Sequence, residues 1–467
     1  MLLNSLLKPL KITKQIKQMR FCLVSTHTDQ TIGYSKISGN LLKHLAQKSN
    51  ANNKNVQIFH FGFQRHAARA NLKKVPHGVN SYDAAINEDP KEEGFGYNKF
   101  KEYLDMVRPD VVMIYNDILT ISKFLDAMMT DPKQEKTQDL SSYNVSLKPK
   151  LKLWLYLDVM YTGMHPVLLK KVFGITDRIY VFSETAKKHM KMYEDAMYGK
   201  LPEIRVQEHA VDEAVYFSPK ETKFINRTLL GVPKDGIIFL NCNRNSGRKR
   251  LDTSVMAFAR LLGRFRDLKE KDVNFKVPDV YFVFATGGVA GKPGNPSFYD
   301  IPRMYMEELK KLGFNLNEEI WKKKLILIDT NVNIINDEGM NELYNLCDIG
   351  VNTSNGEGFG LCTFEHMVAN GAAQIVTDVG CYSEYMKGPD SPLGLIVQKS
   401  GHGYFDVGQC AFGFEYPVFD VKDVADAFEK CVLNLDEWKS KARLVKKNLK
   451  TWEDATEGLW EDILKEC

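Results

Sequence analysis

Residues 349–371 read IGVNTSNGEGFGLCTFEHMVANG, in which a strand-like run, IGVNTS, passes through a glycine-rich loop into a helix-like run, FEHMVANG. The glycines allow the backbone to turn tightly, so the amides of Phe359, Gly360 and Leu361 are predicted to lie at a helix N-terminus. Unpaired N–H groups and the positive end of the helix dipole both favour an anion at such a point, and the diphosphate of a nucleotide would suit it.

Two glutamates stand on either side of this loop's GFG run. Glu365 is expected about two turns into the helix, where a carboxylate can accept hydrogen bonds from vicinal hydroxyls such as those of a ribose. Glu357, on the loop before the helix, can do the same for a second sugar. The alternative is that GEGFG is only a turn that begins a helix, with both acids solvated.

A second loop of the same kind lies earlier in the chain. NCNRNSGRKRLD, residues 241–252, follows the strand-like run IIFL and leads into the helix-like run TSVMAFARLL. Arg244 and Lys249 lie on either side of Gly247, and cations that converge from such a loop can clamp a diphosphate and neutralise a departing phosphate. An isolated cluster of this kind can equally be a solvated basic loop. Two anion-receptive loops in one half of the chain favour the binding interpretation.

The surrounding sequence alternates short apolar runs with longer amphipathic stretches. One series begins at Phe21 with FCLVS, SKISGNLLKHLAQ and VQIFHFGF, and a second opens at residue 236 with GIIFLNCN. This alternation is typical of βαβ units with a parallel sheet. Because 467 residues exceed the ~250–300 at which one core usually divides, we predict an α/β chain of two Rossmann-like domains. Their parallel sheets are expected to face a central cleft, where such folds bind ligands.

Composition excludes few classes of function, but it narrows the expected partners and the expected location of the protein. The net charge of +4, from 63 basic and 59 acidic residues, gives no reason to expect a nucleic-acid partner. The eight cysteines form no CxxC pair and the histidines show no metal-ligand spacing, so reduced thiols, no metal and a cytoplasmic location are expected. We expect no transmembrane segment and no secretory signal. A weak peripheral membrane contact through the first residues is a further possibility.

Taken together, NRNSGRKRLD and NTSNGEGFGLCTFEHMVANGAAQIVTDVG resemble the donor half of the retaining glycosyltransferases of family 4, which have the two-domain GT-B fold. The family pattern E-x7-E is matched by Glu357 and Glu365. Its preceding arginine and lysine are matched by Arg244 and Lys249. The motif pair is specific in combination, so the resemblance assigns a role to each of these side chains.

By this resemblance, Arg244 and Lys249 bind the donor diphosphate. Glu365 holds the nucleotide ribose, and Glu357 approaches the transferred sugar. The amide of Cys362 joins those of residues 359–361 as a phosphate contact.

The resemblance also reaches the first half of the chain. The family's early glycine loop is represented by TIGYSKISG, which implies that Gly33 and Tyr34 approach the diphosphate from across the cleft. For Tyr34, an ordinary strand-to-helix turn is an equal alternative. Many relatives carry a histidine after the fourth strand, whereas here the strand KLWLYLD ends in Asp158 and the nearest histidine is His165. We expect Asp158 to take that place, with a cap for the next segment as the alternative.

Four segments are predicted on this basis. Residues 1–19 form an N-terminal extension, and residues 20–218 form the acceptor domain. Residues 219–447 form the nucleotide-sugar donor domain. HAVDEAVYFSP (209–219) resembles the family's stretch before the interdomain linker. Residues 448–467, which contain TWEDATEGLWEDIL, resemble its closing helix, which packs back on the first domain.

The function implied is transfer of a sugar from a GDP- or UDP-sugar to a hydroxyl of a glycan or other acceptor, with retention at the anomeric carbon. No well-placed nucleophile is evident, so front-face attack is favoured, with the diphosphate held by Arg244 and Lys249 and no metal or other cofactor required. The alternatives are a sugar-nucleotide epimerase or phosphorylase on the same fold, or a catalytically silent sugar-nucleotide or glycan-binding protein.

Overall fold

A computed structural model describes most of the chain. It covers residues 18–51, 56–66, 74–129, 151–159, 166–194, 201–219, 227–290, 298–404 and 415–466. Nearly all of the predicted N-terminal extension lies outside the described residues. No helix among the described residues is long and apolar enough to cross a membrane.

The first half of the chain forms a seven-stranded sheet in the order β3-β2-β1-β4-β5-β6-β7, and every pair in it is parallel. Its strands are β1 (Met19–Thr26), β2 (Val56–Phe63), β3 (Val79–Asp83), β4 (Val111–Asn116), β5 (Lys152–Leu157), β6 (Arg178–Val181) and β7 (Glu203–Val206). All six residues of β4, VVMIYN, are buried. A strand that is apolar on both faces needs cover on both faces, which is the hallmark of a parallel sheet between helices.

The second half repeats this architecture in a six-stranded sheet of order β10-β9-β8-β11-β12-β13, also parallel throughout. Its strands are β8 (Ile237–Asn241), β9 (Val280–Thr286), β10 (Leu325–Asp329), β11 (Ile349–Asn352), β12 (Ala373–Thr377) and β13 (Leu395–Val397); a separate antiparallel hairpin joins β14 (Gly401–Tyr404) to β15 (Glu415–Val418). The predicted α/β fold class with two parallel sheets is therefore confirmed.

Amphipathic helices cover both sheets. The α-helices described in the first half are α1 (Gly33–Ala51), α2 (Tyr97–Val107), α3 (Ile118–Met129), α4 (Pro166–Phe173) and α5 (Glu184–Lys191). Those in the second half are α6 (Leu251–Lys271), α7 (Ile301–Lys311), α8 (Glu319–Lys323), α9 (Asp337–Leu346), α10 (Leu361–Asn370), α11 (Tyr382–Tyr385), α12 (Val421–Leu433), α13 (Leu435–Ala442), α14 (Trp452–Ala455) and α15 (Glu457–Lys465).

The last two helices lie against the first sheet. Asp462 on α15 is 1 % exposed, and its Oδ2 accepts a hydrogen bond of 2.8 Å from the hydroxyl of Tyr180 on β6. Its other oxygen is paired with Arg205 on β7. The amide side chain of Gln207, just after β7, donates to the carbonyl of Ala455 at 2.9 Å. Helices α14 and α15 are thus anchored to the first sheet by a buried carboxylate and its donors.

Replacing Asp462 by alanine should loosen this anchor. The buried Tyr180 hydroxyl would lose this acceptor, whereas Arg205 would keep Glu203, and removing one partner of a buried hydrogen bond costs about 1–3 kcal/mol. Urea unfolding followed by intrinsic fluorescence should show an earlier first transition for Asp462→Ala. The neighbouring Glu461→Ala, at an exposed position, is the matched control and should unfold like the wild type. Equal midpoints for both variants would contradict the anchoring role.

Candidate functional site

The two loops singled out in the second half meet at the carboxyl edge of the second sheet. One follows β8 and enters α6 through a short turn at Gly247–Lys249; the other follows β11 and enters α10. Strands β8 and β11 are adjacent and parallel, so their loops emerge side by side. Gly360 precedes α10 with φ +80°, a backbone conformation that favours glycine, and a Cβ at this position would overlap the Tyr382 hydroxyl.

Lys249 and Glu357 form an ion pair between these loops. Glu357 is 5 % exposed and its Oε1 also accepts a hydrogen bond from the side chain of Asn352 at 2.9 Å. Arg248 lies 3.7 Å from its Oε2 and also donates to the carbonyl of Gly356. Burial acts to raise the pKa of Glu357, but Lys249 and Arg248 outweigh burial and hold it below its ordinary value. Glu357 is therefore an anion held by two cations.

The amides at the start of α10 are open to a ligand. The N–H groups of residues 359–362 donate to no acceptor within the described residues, as is usual for the first turn of a helix. They begin two residues after Glu357, the partner of Lys249, and the charge of Lys249 acts to lower the pKa of the Cys362 thiol in the first turn of α10. An anion placed here would meet both N–H donors and a cation, which is the requirement for binding a diphosphate.

Glu365 is bound by a lysine that the sequence analysis did not single out. Lys36, on α1 of the first half, places its Nζ 2.8 Å and 3.1 Å from the two carboxylate oxygens of Glu365. The Tyr344 hydroxyl donates to the same carboxylate at 2.9 Å. Lys36 also bonds the Tyr216 hydroxyl at 2.5 Å and lies 3.7 Å from Asp337. This cluster joins the two halves of the chain, and a cavity of about 20 Å³ lies beside it, with room for about one water molecule.

Asp158 and Tyr34 meet at the facing edge of the first sheet. Asp158 follows β5, and its Oδ2 accepts a hydrogen bond of 2.7 Å from the Tyr34 hydroxyl. A Cβ added to Gly358 would overlap Asp158 Oδ1, so the carboxylate lies against the glycine-rich loop of the other half. Burial raises the pKa of Asp158, against the lowering effects of the Tyr34 bond and of Arg248. The carboxyl group of Asp158 therefore lies at the interface of the two halves.

The remaining predicted residues differ in how closely they approach these clusters. A Cβ at Gly33 would be 3.5 Å from the side chain of Leu361 on α10, so the start of α1 faces the start of α10. Arg244 is exposed on the loop after β8. Arg248, four residues further along the same loop, is the arginine that lies 3.7 Å from Glu357, and the sequence alone did not single it out. No group of three or more His, Cys, Asp or Glu side chains suited to a metal ion occurs in the described part of the chain.

Two parallel-sheet domains whose carboxyl edges face each other in this way constitute the GT-B fold, and solved structures match the chain over almost its whole length. Sucrose-phosphate synthase from Thermosynechococcus elongatus has 16 % identity and a TM-score of 0.58, with 96 % of this chain and 97 % of that one covered. HepE from Anabaena, in complex with UDP and glucose, has 12 % identity and a TM-score of 0.61, with coverage of 96 % and 100 %.

A third match is the E. coli trehalose-6-phosphate protein bound with UDP-2-fluoro glucose, with 13 % identity, a TM-score of 0.59 and coverage of 95 % and 98 %. No protein-family model and no curated protein sequence matches the chain. At these identities the likeness establishes the fold, and the chemistry must be argued from the residues.

The raised pKa of Asp158 predicts a particular pH dependence of stability. The folded state holds its proton to a higher pH than the unfolded state, whose pKa is near 3.8. The carboxyl's contribution therefore becomes less favourable as pH rises from that value through the folded pKa. Asp158→Asn keeps an acceptor for Tyr34 and removes this titration. Its Tm should match the wild type at about pH 4 and exceed it at about pH 8. A lower Tm at both pH values would contradict this prediction.

Removing Lys36 should destabilise the contact between the halves. In Lys36→Met the Glu365 carboxylate, 2 % exposed, keeps only the Tyr344 hydroxyl, and an unpaired buried charge costs on the order of 3 kcal/mol. The double variant Lys36→Met/Glu365→Gln removes both charges and should recover most of that loss. The measurement is urea unfolding of the wild type, both single variants and the double variant. Additive losses would show that the two side chains do not interact energetically.

Proposed function

We propose that this protein is a retaining glycosyltransferase that moves a sugar from a GDP- or UDP-sugar to an acceptor hydroxyl. One observation supports the proposal: the Lys249–Glu357 ion pair joins the loop after β8 to the loop that leads into α10, whose first amides have no acceptor among the described residues. A diphosphate can replace Glu357 as the ion-pair partner of Lys249 and can also accept hydrogen bonds from the amides. The GT-B structures of HepE with UDP and glucose, and of the E. coli protein with UDP-2-fluoro glucose, make UDP-sugars the first donors to test.

The proposed chemistry is heterolysis of the bond between the anomeric carbon and the diphosphate. Lys249, Arg248 and the amides of α10 stabilise the charge that develops on the leaving diphosphate. In the proposal Arg244, on the same loop, adds its charge to theirs. The acceptor oxygen bonds to the anomeric carbon on the face that the diphosphate leaves, and the diphosphate oxygen takes the acceptor proton. No metal or other cofactor is invoked, because the cations of the β8 loop supply the neutralisation.

Front-face attack is proposed over a double displacement because the two carboxylates beside the glycine-rich loop have other roles in the proposal: Glu357 binds a hydroxyl of the sugar, and Asp158 stays hydrogen-bonded to Tyr34. Glu357 is bonded by Lys249 and Asn352, and Asp158 is bonded by Tyr34. A double displacement needs a free carboxylate nucleophile on the opposite face of the sugar. In this proposal the diphosphate replaces Glu357 as the partner of Lys249. Glu357 then accepts a hydrogen bond from a hydroxyl of the transferred sugar, and Glu365 accepts hydrogen bonds from the ribose. Tyr34 and Asp158 face the transferred sugar from the first sheet.

Loss of the Lys249 cation should reduce turnover strongly. A screen of GDP- and UDP-sugars by thermal stabilisation selects the donor, since a bound donor raises Tm by mass action. Lys249→Met should then lower kcat/KM by about 100-fold or more, the usual effect of removing one charge-stabilising group. Lys271→Met, exposed at the end of α6, is the matched control and should retain full activity.

The variant Lys249→Met/Glu357→Gln separates catalysis from folding, because it removes both charges of the buried ion pair, while the partly exposed Arg248 keeps the carbonyl of Gly356. It should fold with a wild-type Tm and remain inactive. Wild-type turnover by this variant would overturn the site assignment. A donor that binds and is never turned over, with any acceptor, would instead favour a silent sugar-nucleotide-binding protein.

A further inference from the structure

The last residue of β1 and the segment that follows carry buried oxygen atoms with no partner among the described residues. Thr26 Oγ1, Thr28 Oγ1 and Asp29 Oδ1 are each buried and make no hydrogen bond with any described residue. The three side chains are 0 %, 2 % and 6 % exposed. Leaving one such group unsatisfied costs about 1–3 kcal/mol, so a cluster of them in one short segment calls for an explanation beyond packing. A ligand that supplies hydroxyl donors would satisfy them.

This segment lies on the wall of the cleft. It joins the carboxyl end of β1 to α1, whose first residue, Gly33, faces Leu361 of the second half. The strands are parallel, so the residues that follow β2 and β3 come to the same edge. Arg65, which follows β2, donates to Asp29 Oδ2 at 3.3 Å and to Asp83 Oδ2, at the end of β3, at 3.0 Å. Three neighbouring strand ends therefore contribute to one polar cluster.

The charges of this cluster select against an anionic ligand. Two carboxylates, Asp29 and Asp83, surround one guanidinium, so the cluster has a net negative charge. Burial lowers the pKa of the adjacent His27, against the opposing effect of Asp83, so this imidazole adds no positive charge at neutral pH. Arg65 is 44 % exposed and has five N–H donors, of which the two carboxylates take one each. The cluster thus offers both unused hydrogen-bond acceptors and unused N–H donors. A hydroxyl can donate to the first and accept from the second, so the cluster matches the hydroxyls of an uncharged saccharide.

We propose that Thr28, Asp29, Arg65 and Asp83 form the acceptor-binding site, and that the acceptor is an uncharged saccharide rather than a sugar phosphate. Thr28 Oγ1 and Asp29 Oδ1 accept hydrogen bonds from its hydroxyls, while Arg65 donates to its ring or hydroxyl oxygens. The role as acceptor site rests on the proposed glycosyl transfer. The binding of an uncharged saccharide does not, so it is tested without any donor.

Saturation-transfer NMR on the full chain gives the direct test, with glucose, maltose and lactose as uncharged probes and glucose 6-phosphate as the anionic probe. At least one uncharged sugar should receive saturation from the wild type, and glucose 6-phosphate should receive less. Asp29→Asn should weaken that signal by about tenfold in apparent affinity, the effect of roughly 1.4 kcal/mol. Asp105→Asn, at an exposed position on α2, is the matched control. Stronger binding of glucose 6-phosphate, or no binding of any uncharged sugar, would overturn the proposal.

Thr28→Val separates a binding role from a structural one. Valine has nearly the same shape and removes a buried hydroxyl that has no partner, so the Tm of the variant should equal or exceed that of the wild type. Saccharide binding should fall at the same time, because the ligand loses an acceptor. A reduced Tm with unchanged binding would show that the hydroxyl serves the fold. Failure of every donor to be turned over would count against the proposed transferase, while the NMR result would still decide the saccharide site.

Discussion

The parallel direction of every strand in both large sheets is the constraint on which the site depends. Parallel strands end at a common edge, so loops that are far apart in sequence become neighbours in space. The loops after β8 and β11 bring Lys249 to Glu357 across 108 positions of the chain. In the first sheet the same rule groups the residues that follow β1, β2 and β3 around Arg65. With the two edges facing each other, a cleft lined by polar loops follows directly.

Each cation that approaches Glu357 or Glu365 is already paired, which changes how binding there must work. Lys36 is paired with Glu365, and Lys249 with Glu357. A ligand gains only the difference between its own bonds and those that it displaces. In the proposed reaction, a dianionic diphosphate displaces one carboxylate from Lys249, and the released Glu357 then accepts hydrogen bonds from sugar hydroxyls. Exchange of partners would couple arrival of the nucleotide to capture of the sugar.

Sequence periodicity was sufficient to predict the fold class, because the strands of both sheets are short apolar runs between amphipathic stretches. It also located Asp158, since a residue that follows a buried parallel strand must emerge at the cleft edge. Partners across the cleft were not predictable. Lys36 lies in the quoted TIGYSKISG, but 329 positions separate it from Glu365. Arg248 was not singled out either, because spacing alone cannot show which side chain of a loop approaches Glu357. Pairing depends on the packing of two domains, which local patterns do not encode.

The docking of α14 and α15 on the first sheet has a consequence for folding during synthesis. Asp462 reaches Arg205 across 257 positions and Tyr180 across 282 positions. During synthesis, β6 and β7 leave the ribosome long before the helices that cover them. Part of the surface of the first domain therefore stays uncovered until the entire second domain has been translated. The contacts that complete its surface are of very long range, and such contacts form slowly.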